Sequence, residues 1–429
     1  MKLGAFGFLS STEIQQNGAL NAGILDMAFA LQWVQDHIDQ FGGDKSRVTV
    51  AGQSAGAGGV MLLGIAKNGT LGTSLFSNVC GPLTTLRSLL TLHQIIAASP
   101  YLPLQHKFDA SIQTRQYESF STSAGCANST ETLSCLRSKD SITLQIANSD
   151  VNAANVYGHW AFAPVTEPEF GFINTHPSDS LAAGLVNGEN ILVGKNANEG
   201  PLFVPTIDST DALQAWLRNA FPSFSSTELE AILAAYPLSN LTKNDTFATT
   251  GLGLMTALDT SSFASGIQQR AYNIYAEATF VCPSYWLSGA FTTNNRTAFH
   301  YQYSVPGALH GSDLTAYFGP ATASQPRSFT TVFRQIWGQF ITAANPGTAK
   351  GLMNLTWPAW AKDGHSKMLN LNTTGGVPYS ASQLTGTNIT EYTDPGLQTD
   401  LSVVDALKWE GNRGERCELW RSIASKLPV

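Results

Sequence analysis

The stretch from Val48 to Gly59, VTVAGQSAGAGG, constrains this chain more than any other. The β-branched Val48, Thr49 and Val50 favour a short strand. The small residues after Ser54 lead into VMLLGIAKNG, which reads as a helix ending near Gly69. Upstream, Ala22 to Ile38 places Ile24, Met27, Ala28, Leu31, Val34 and Ile38 on one helical face, and FGGDKS supplies a stop and a turn. Helix, strand, sharp turn, helix is the grammar of a parallel sheet, whose inner strands are buried on both faces. The expectation is an α/β fold with a fully buried strand ending at Gly52-Gln53-Ser54-Ala55-Gly56.

Further strands are predicted at Ile95 to Ser99, Asn190 to Asn196 and Ala298 to Val305. Between Asp208 and Phe280 the pattern is mostly helical, which predicts a cap-like helical region over residues 205–290. From Gln339 onward Pro, Trp and Gly-rich loops are expected until a final helix near CELWRSIASKL. Neither a repeat nor a low-complexity linker interrupts the chain, so residues 1–429 are read as one domain.

With 43% hydrophobic and 13% charged residues, the chain is globular rather than disordered. A net charge of −7 and the lack of basic blocks argue against nucleic acid or an anionic membrane surface as partner. No apolar run reaches the roughly 18 residues of a membrane span. Leu3 to Leu9 is apolar, but the polar SSTEIQQNG follows too early for a signal peptide. Acceptor sites of the form N-x-S/T nonetheless occur at Asn68, Asn128, Asn240, Asn244, Asn295, Asn354, Asn372 and Asn388, a density commoner in chains that pass through a secretory route. Cys126 and Cys135 enclose a short polar loop that a local disulfide would staple, with no zinc-like spacing. Cys282 and Cys417, each beside aromatic residues, are either a second bridge or two free thiols, and Cys80 is left over.

Gly52 to Gly56 fits G-x-S-x-G, in which a serine occupies a strained strand-to-helix turn and flanking glycines let strand and helix approach closely. A serine hydroxyl needs a base to take its proton and a third group to orient that base. Glu199 follows the predicted strand ILVGKN, and His310 follows FHYQYSV on a Gly-flanked loop, which gives the order serine, acid, histidine. The bland readings are a small turn residue for Ser54, a solvated loop carboxylate for Glu199, and surface or structural roles for His37, His93, His106 and His365.

The run NAGILDMAFALQWVQDHIDQFGGDKSRVTVAGQSAGAGG closely resembles the type-B carboxylesterase/lipase family, which includes the cholinesterases and many fungal secreted esterases. So do GKNANEG, PGALHGSDLTAYFG, WGQFITAANPG and WPAW, while SPYLPLQHKFD, FVCPSYWL and WEGNRGERCELW look most like the fungal branch. The resemblance implies an α/β-hydrolase fold, secretion, no cofactor and no metal. It also implies hydrolysis of a small-molecule or lipid ester through an acyl-enzyme on Ser54, with His310 as proton shuttle, Glu199 as its partner and the Ala55 N–H as oxyanion donor. The Cys126–Cys135 loop matches a family disulfide.

Three departures qualify the resemblance. Gln53 stands where the family usually carries Glu, which removes a negative charge beside the nucleophile and disfavours a cationic substrate. LGAFGFLSS resembles an internal family segment, so Met1 is expected to be an internal codon with first strands, a glycine-rich oxyanion segment and a signal peptide upstream. Without them the sheet would expose an edge and the chain would be an inactive fragment, the alternative to an esterase. Finally, Val79 to Gln94 exceeds the family pattern. It is read as a retained short intron, or else as a surface helix with Leu83, Leu86, Leu89 and Leu90 on one face.

Overall fold

The computed structural model describes residues 3–71, 92–102, 106–237, 260–352, 355–361 and 365–424. Six strands form one sheet whose spatial order follows the chain: β1 (Val48–Gln53), β2 (Leu92–Ala98), β3 (Asn190–Asn196), β4 (Thr297–Tyr303), β5 (Lys367–Ser382) and β6 (Asn388–Asp405). The first five run parallel, and β6 returns antiparallel to β5.

Successive side chains on a strand point to opposite faces, and that alternation builds two cores. Ile95, Ala97, Ile191, Val193, Ala298 and Met368 face the helices Ala55–Ile65 and Cys282–Ala290. Ile96, Ala98, Leu192, Phe299, Tyr301 and Leu369 face the helix Arg327–Ala343 through Phe333, Ile336 and Phe340. The helical residues between 205 and 290 bury Leu213, Trp216, Ile232, Ile274 and Leu287 in the first of these cores. The terminal helix Trp409–Ile423 joins the same layer. Its Arg413 and Arg416 pair with the buried Glu277, and Cys417 is bonded to Cys282. Cys126 and Cys135 form the other disulfide.

Three expectations are corrected. The strand β1 is half-buried along its length, with Ala51 exposed, because among the described residues it has β2 alone as a neighbour. The region beyond Gln339 holds the two longest strands rather than loops. Its Pro and Gly residues mislead because they gather at an irregularity, where the pairing shifts between Gly375 and Val377 and Gly375, Gly376 and Gly396 adopt positive φ. Asn372 is no acceptor site in the folded chain, since it lies buried within β5. Asn128, Asn295 and Asn388 are exposed, and Asn240, Asn244 and Asn354 lie outside the described residues. Of the expected insertion Val79 to Gln94, residues 79–91 with Cys80 also lie outside them, whereas Leu92 and Gln94 pair with Val48 and Thr49 at the start of β2.

Candidate active site

Ser54 sits between the end of β1 and the first residue of the helix Ala55–Ile65, with φ 57° and ψ −125°. A side chain bearing Cβ rarely adopts this conformation, and holding one there costs about 1–3 kcal/mol. The surroundings over-determine it. Ser54 N–H donates to Ala98 O at 2.9 Å, and Ser54 O accepts from Gly58 N–H at 2.9 Å and Tyr101 N–H at 3.3 Å. A Cβ at Gly52 would meet Gly56 O at 2.3 Å, and one at Gly58 would meet Tyr101 O at 2.2 Å. Around Gly56, expected to need its small size, nothing among the described residues lies within 4 Å of an added Cβ, so Gly58 fills that role instead.

Glu199 follows β3 and is fully buried. The loop that carries it is tied to the loop that carries His310: Asn198 N–H donates to Ala308 O at 2.9 Å, and its side-chain amide donates to Gly307 O at 3.0 Å. His310 therefore arrives with its ring between the other two residues. Its Nδ1–H donates to Glu199 Oε2, and its Nε2 lies 2.7 Å from Ser54 Oγ. Because the carboxylate holds the proton on Nδ1, Nε2 is left to accept the serine hydroxyl. Phe280 and Phe203 pack against the imidazole, with ring centroids 4.5 and 5.1 Å from its own. Gln53, next to Ser54, brings its amide nitrogen to 3.5 Å from the same Nε2.

Burial raises the affinity of the Glu199 carboxyl for a proton, but His310 and the hydrogen bonds it accepts outweigh this and hold its pKa below the ordinary range. Those bonds come from Ser99 Oγ at 2.7 Å and Asn196 N–H at 2.6 Å, both to Oε1. Asn196 extends the network, its side-chain amide donating to Ser99 Oγ at 3.2 Å and Asp313 Oδ1 at 3.1 Å. Asp313, fully buried, also accepts from the Tyr301 and Tyr317 hydroxyls. Burial dominates there and pushes its carboxyl up to about 6, with the Asn196 bond opposing and the Glu199 charge assisting.

The sequence from residue 2 to residue 386 matches the model of the carboxylesterase family. The chain belongs to this family. Among relatives of this carboxylesterase-family chain, lipase 4 of Diutina rugosa is 27% identical over 87% of this chain and 64% of its own length. A secreted triacylglycerol lipase of Gibberella zeae is 26% identical over 84% and 58%, and secreted lipase 1 of Botryotinia fuckeliana 27% over 86% and 62%. The chain thus spans less than two thirds of the length of each. The crystal structure of Aspergillus niger EstA superposes with a TM-score of 0.73 at 23% identity, covering 100% of this chain and 74% of that one, which establishes a shared α/β-hydrolase fold.

All three residues singled out by the family motifs, Ser54, Glu199 and His310, meet at the carboxyl ends of the parallel strands, where open α/β sheets place their sites. Sequence reasoning missed Ser99, Asn196, Asp313, Phe203 and Phe280. Four of them carried a signal: Ser99 opens SPYLPLQHKFD, Asn196 lies within GKNANEG, Phe280 opens FVCPSYWL and Asp313 lies within HGSDL, all in runs already quoted as family runs. Also missed was an apolar cleft of about 710 Å³ that reaches Ala55 and is lined by Phe8, Met27, Leu62, Tyr101 and Phe162. It joins segments far apart in sequence.

Proposed function

We propose that this carboxylesterase-family chain is a serine hydrolase that cleaves carboxylic esters through an acyl-enzyme. The observation that carries this reading is the 2.7 Å approach of His310 Nε2 to the hydroxyl of a serine held in a strained strand-to-helix turn. Ser54 Oγ attacks the ester carbonyl carbon as its proton passes to His310 Nε2. The imidazolium then gives that proton to the departing alcohol, and the acyl group stays on Ser54. Water, deprotonated by the same nitrogen, attacks the acyl carbonyl and releases the carboxylic acid with Ser54 restored. Glu199 keeps the ring oriented and stabilises its charge without itself taking the proton. Ala55 N–H lies in the first turn of its helix, where N–H groups lack intrahelical partners, and it is the donor available to the oxyanion.

The substrate proposed is a neutral small-molecule or lipid ester. Gln53 supports this, since it adds no negative charge beside Ser54 to draw a cation, and so does the apolar lining of the cleft. Two disulfides and relatives named as secreted lipases support an extracellular location. The second reading is a non-catalytic member of the family. One experiment decides between them. The chain is treated with a fluorophosphonate beside a Ser54→Ala control, with folding checked by circular dichroism. Labelling that disappears in the control supports the esterase, and a folded chain that does not label overturns it.

A further inference from the structure

Beside the apolar cleft lies a second cavity of about 60 Å³ with a different lining. Tyr101, Trp160 and Ala163 line both, so the two spaces share a wall. The cleft is predominantly apolar, whereas this chamber is edged by His106, Gln113, Gln116, Asn155 and His159. Two atoms in this edge, Gln116 Oε1 and His159 Nε2, are buried with no hydrogen-bond partner among the described residues. Leaving such an atom unpaired costs about 1–3 kcal/mol, so a chain that retains two of them around one space leaves the space matched to something that pairs with both. Burial pushes both imidazoles down to about 4, and Arg115 adds to this at His106, so neither carries a charge at neutral pH. The chamber has room for about four waters, or for the hydroxylated end of an alkyl chain.

We propose that cleft and chamber form one binding channel, and that the ester this protein takes carries a hydroxyl group at the far end of its apolar part. A hydroxyl both donates and accepts, so it satisfies Gln116 Oε1 as donor and accepts from His159 Nε2–H in the tautomer that carries its proton there. The proposal rests on the reading of Ser54 as the nucleophile.

The test uses alkyl fluorophosphonates and their ω-hydroxyalkyl counterparts over a ladder of chain lengths, with the rate of Ser54 labelling as readout. At the matching length the hydroxylated probe is expected to react about tenfold faster, the size of one well-placed hydrogen bond to a buried polar group. That advantage should vanish in Gln116→Leu and in His159→Leu, the folding of each variant being checked by circular dichroism. Equal rates for the two probes at every length, as expected of a chamber that holds only water, overturn the proposal. An advantage that survives both substitutions does the same. If neither probe labels Ser54, the nucleophile reading has failed, and calorimetric titration with an alkanediol and the alkanol of equal length tests the channel alone. Stronger binding of the diol, lost in the variants, upholds it, and equal binding sinks it.

Discussion

The two ends of the Ser54–His310–Glu199 constellation are built differently. At the acid end Glu199, Ser99, Asn196 and Asp313 are all buried at the centre of the sheet, and hydrogen bonds between side chains link them into one network. At the nucleophile end Ser54 leaves the strand that lies at the sheet's edge among the described residues, Ala51 and Ala55 on either side are exposed, and main-chain bonds to Ala98, Gly58 and Tyr101 hold its pose. The acid is positioned by dry, satisfied polar groups and the nucleophile by backbone strain. Electrostatic substitutions should therefore act at the first end and steric ones at the second.

The largest effect is expected for Glu199→Gln, which keeps the shape and removes the charge. Turnover of a 4-nitrophenyl ester should fall by about 10⁴ with an unchanged circular dichroism spectrum. A loss below about tenfold would mean that the carboxylate does not orient His310.

Next comes Asp313→Asn, read as stability against pH. Folding raises the Asp313 pKa from 3.8 to about 6, so between those values the folded chain binds more protons than the unfolded one and its stability falls as pH rises. The variant lacks this loss. Its advantage over the parent in denaturant titrations should grow from pH 4 to pH 6 and level off above, reaching about 3 kcal/mol. A difference that does not vary with pH would refute the assignment.

Gly58→Ala probes the other end, because the added methyl would meet Tyr101 O at 2.2 Å and the backbone beneath Ser54 must move. A destabilisation of about 2 kcal/mol is expected, together with lower reactivity towards a fluorophosphonate. Ser99→Ala removes one of the hydrogen bonds to Glu199 and should cost about 1.5 kcal/mol of activation energy in kcat/KM, leaving labelling detectable. The smallest effect belongs to Gly56→Ala. Nothing among the described residues lies within 4 Å of the new methyl and the residue is helical, so a gain of about 0.5–1 kcal/mol in stability is expected. A loss there would show that the elbow depends on its closing glycine after all.

The contrast also explains what could be read from the sequence. Strands β1 to β4 were legible because each is a compact apolar run, and the Val48 to Gly59 stretch was legible because a strained serine turn demands small neighbours that leave a motif. Ser54, Glu199 and His310 were legible through those motifs. Asp313 and Ser99 lay within quoted runs, but their roles were not legible, because these arise only where loops after β2, β3 and β4 converge, and no local pattern encodes that convergence. The β5–β6 hairpin was hidden by Pro378, Pro395 and three glycines, since pairing along 15 registered partners overrides local preference. The half-burial of β1 was misread because β-branched composition reports strand character and not a strand's place in a sheet.

The Cys282–Cys417 bond has a consequence for the covalent layout of the molecule. It closes a ring, 135 residues around, that contains β4, His310 and the whole β5–β6 hairpin, while Ser54 and Glu199 lie on the open arm that leads into it. Leu384, at the tip of the hairpin, is 89% exposed. A protease that cuts there opens the ring but frees no fragment from the oxidised protein. The nicked chain stays one molecule, and the return of β6 and the terminal helix to β5 after unfolding does not depend on protein concentration until the bond is reduced.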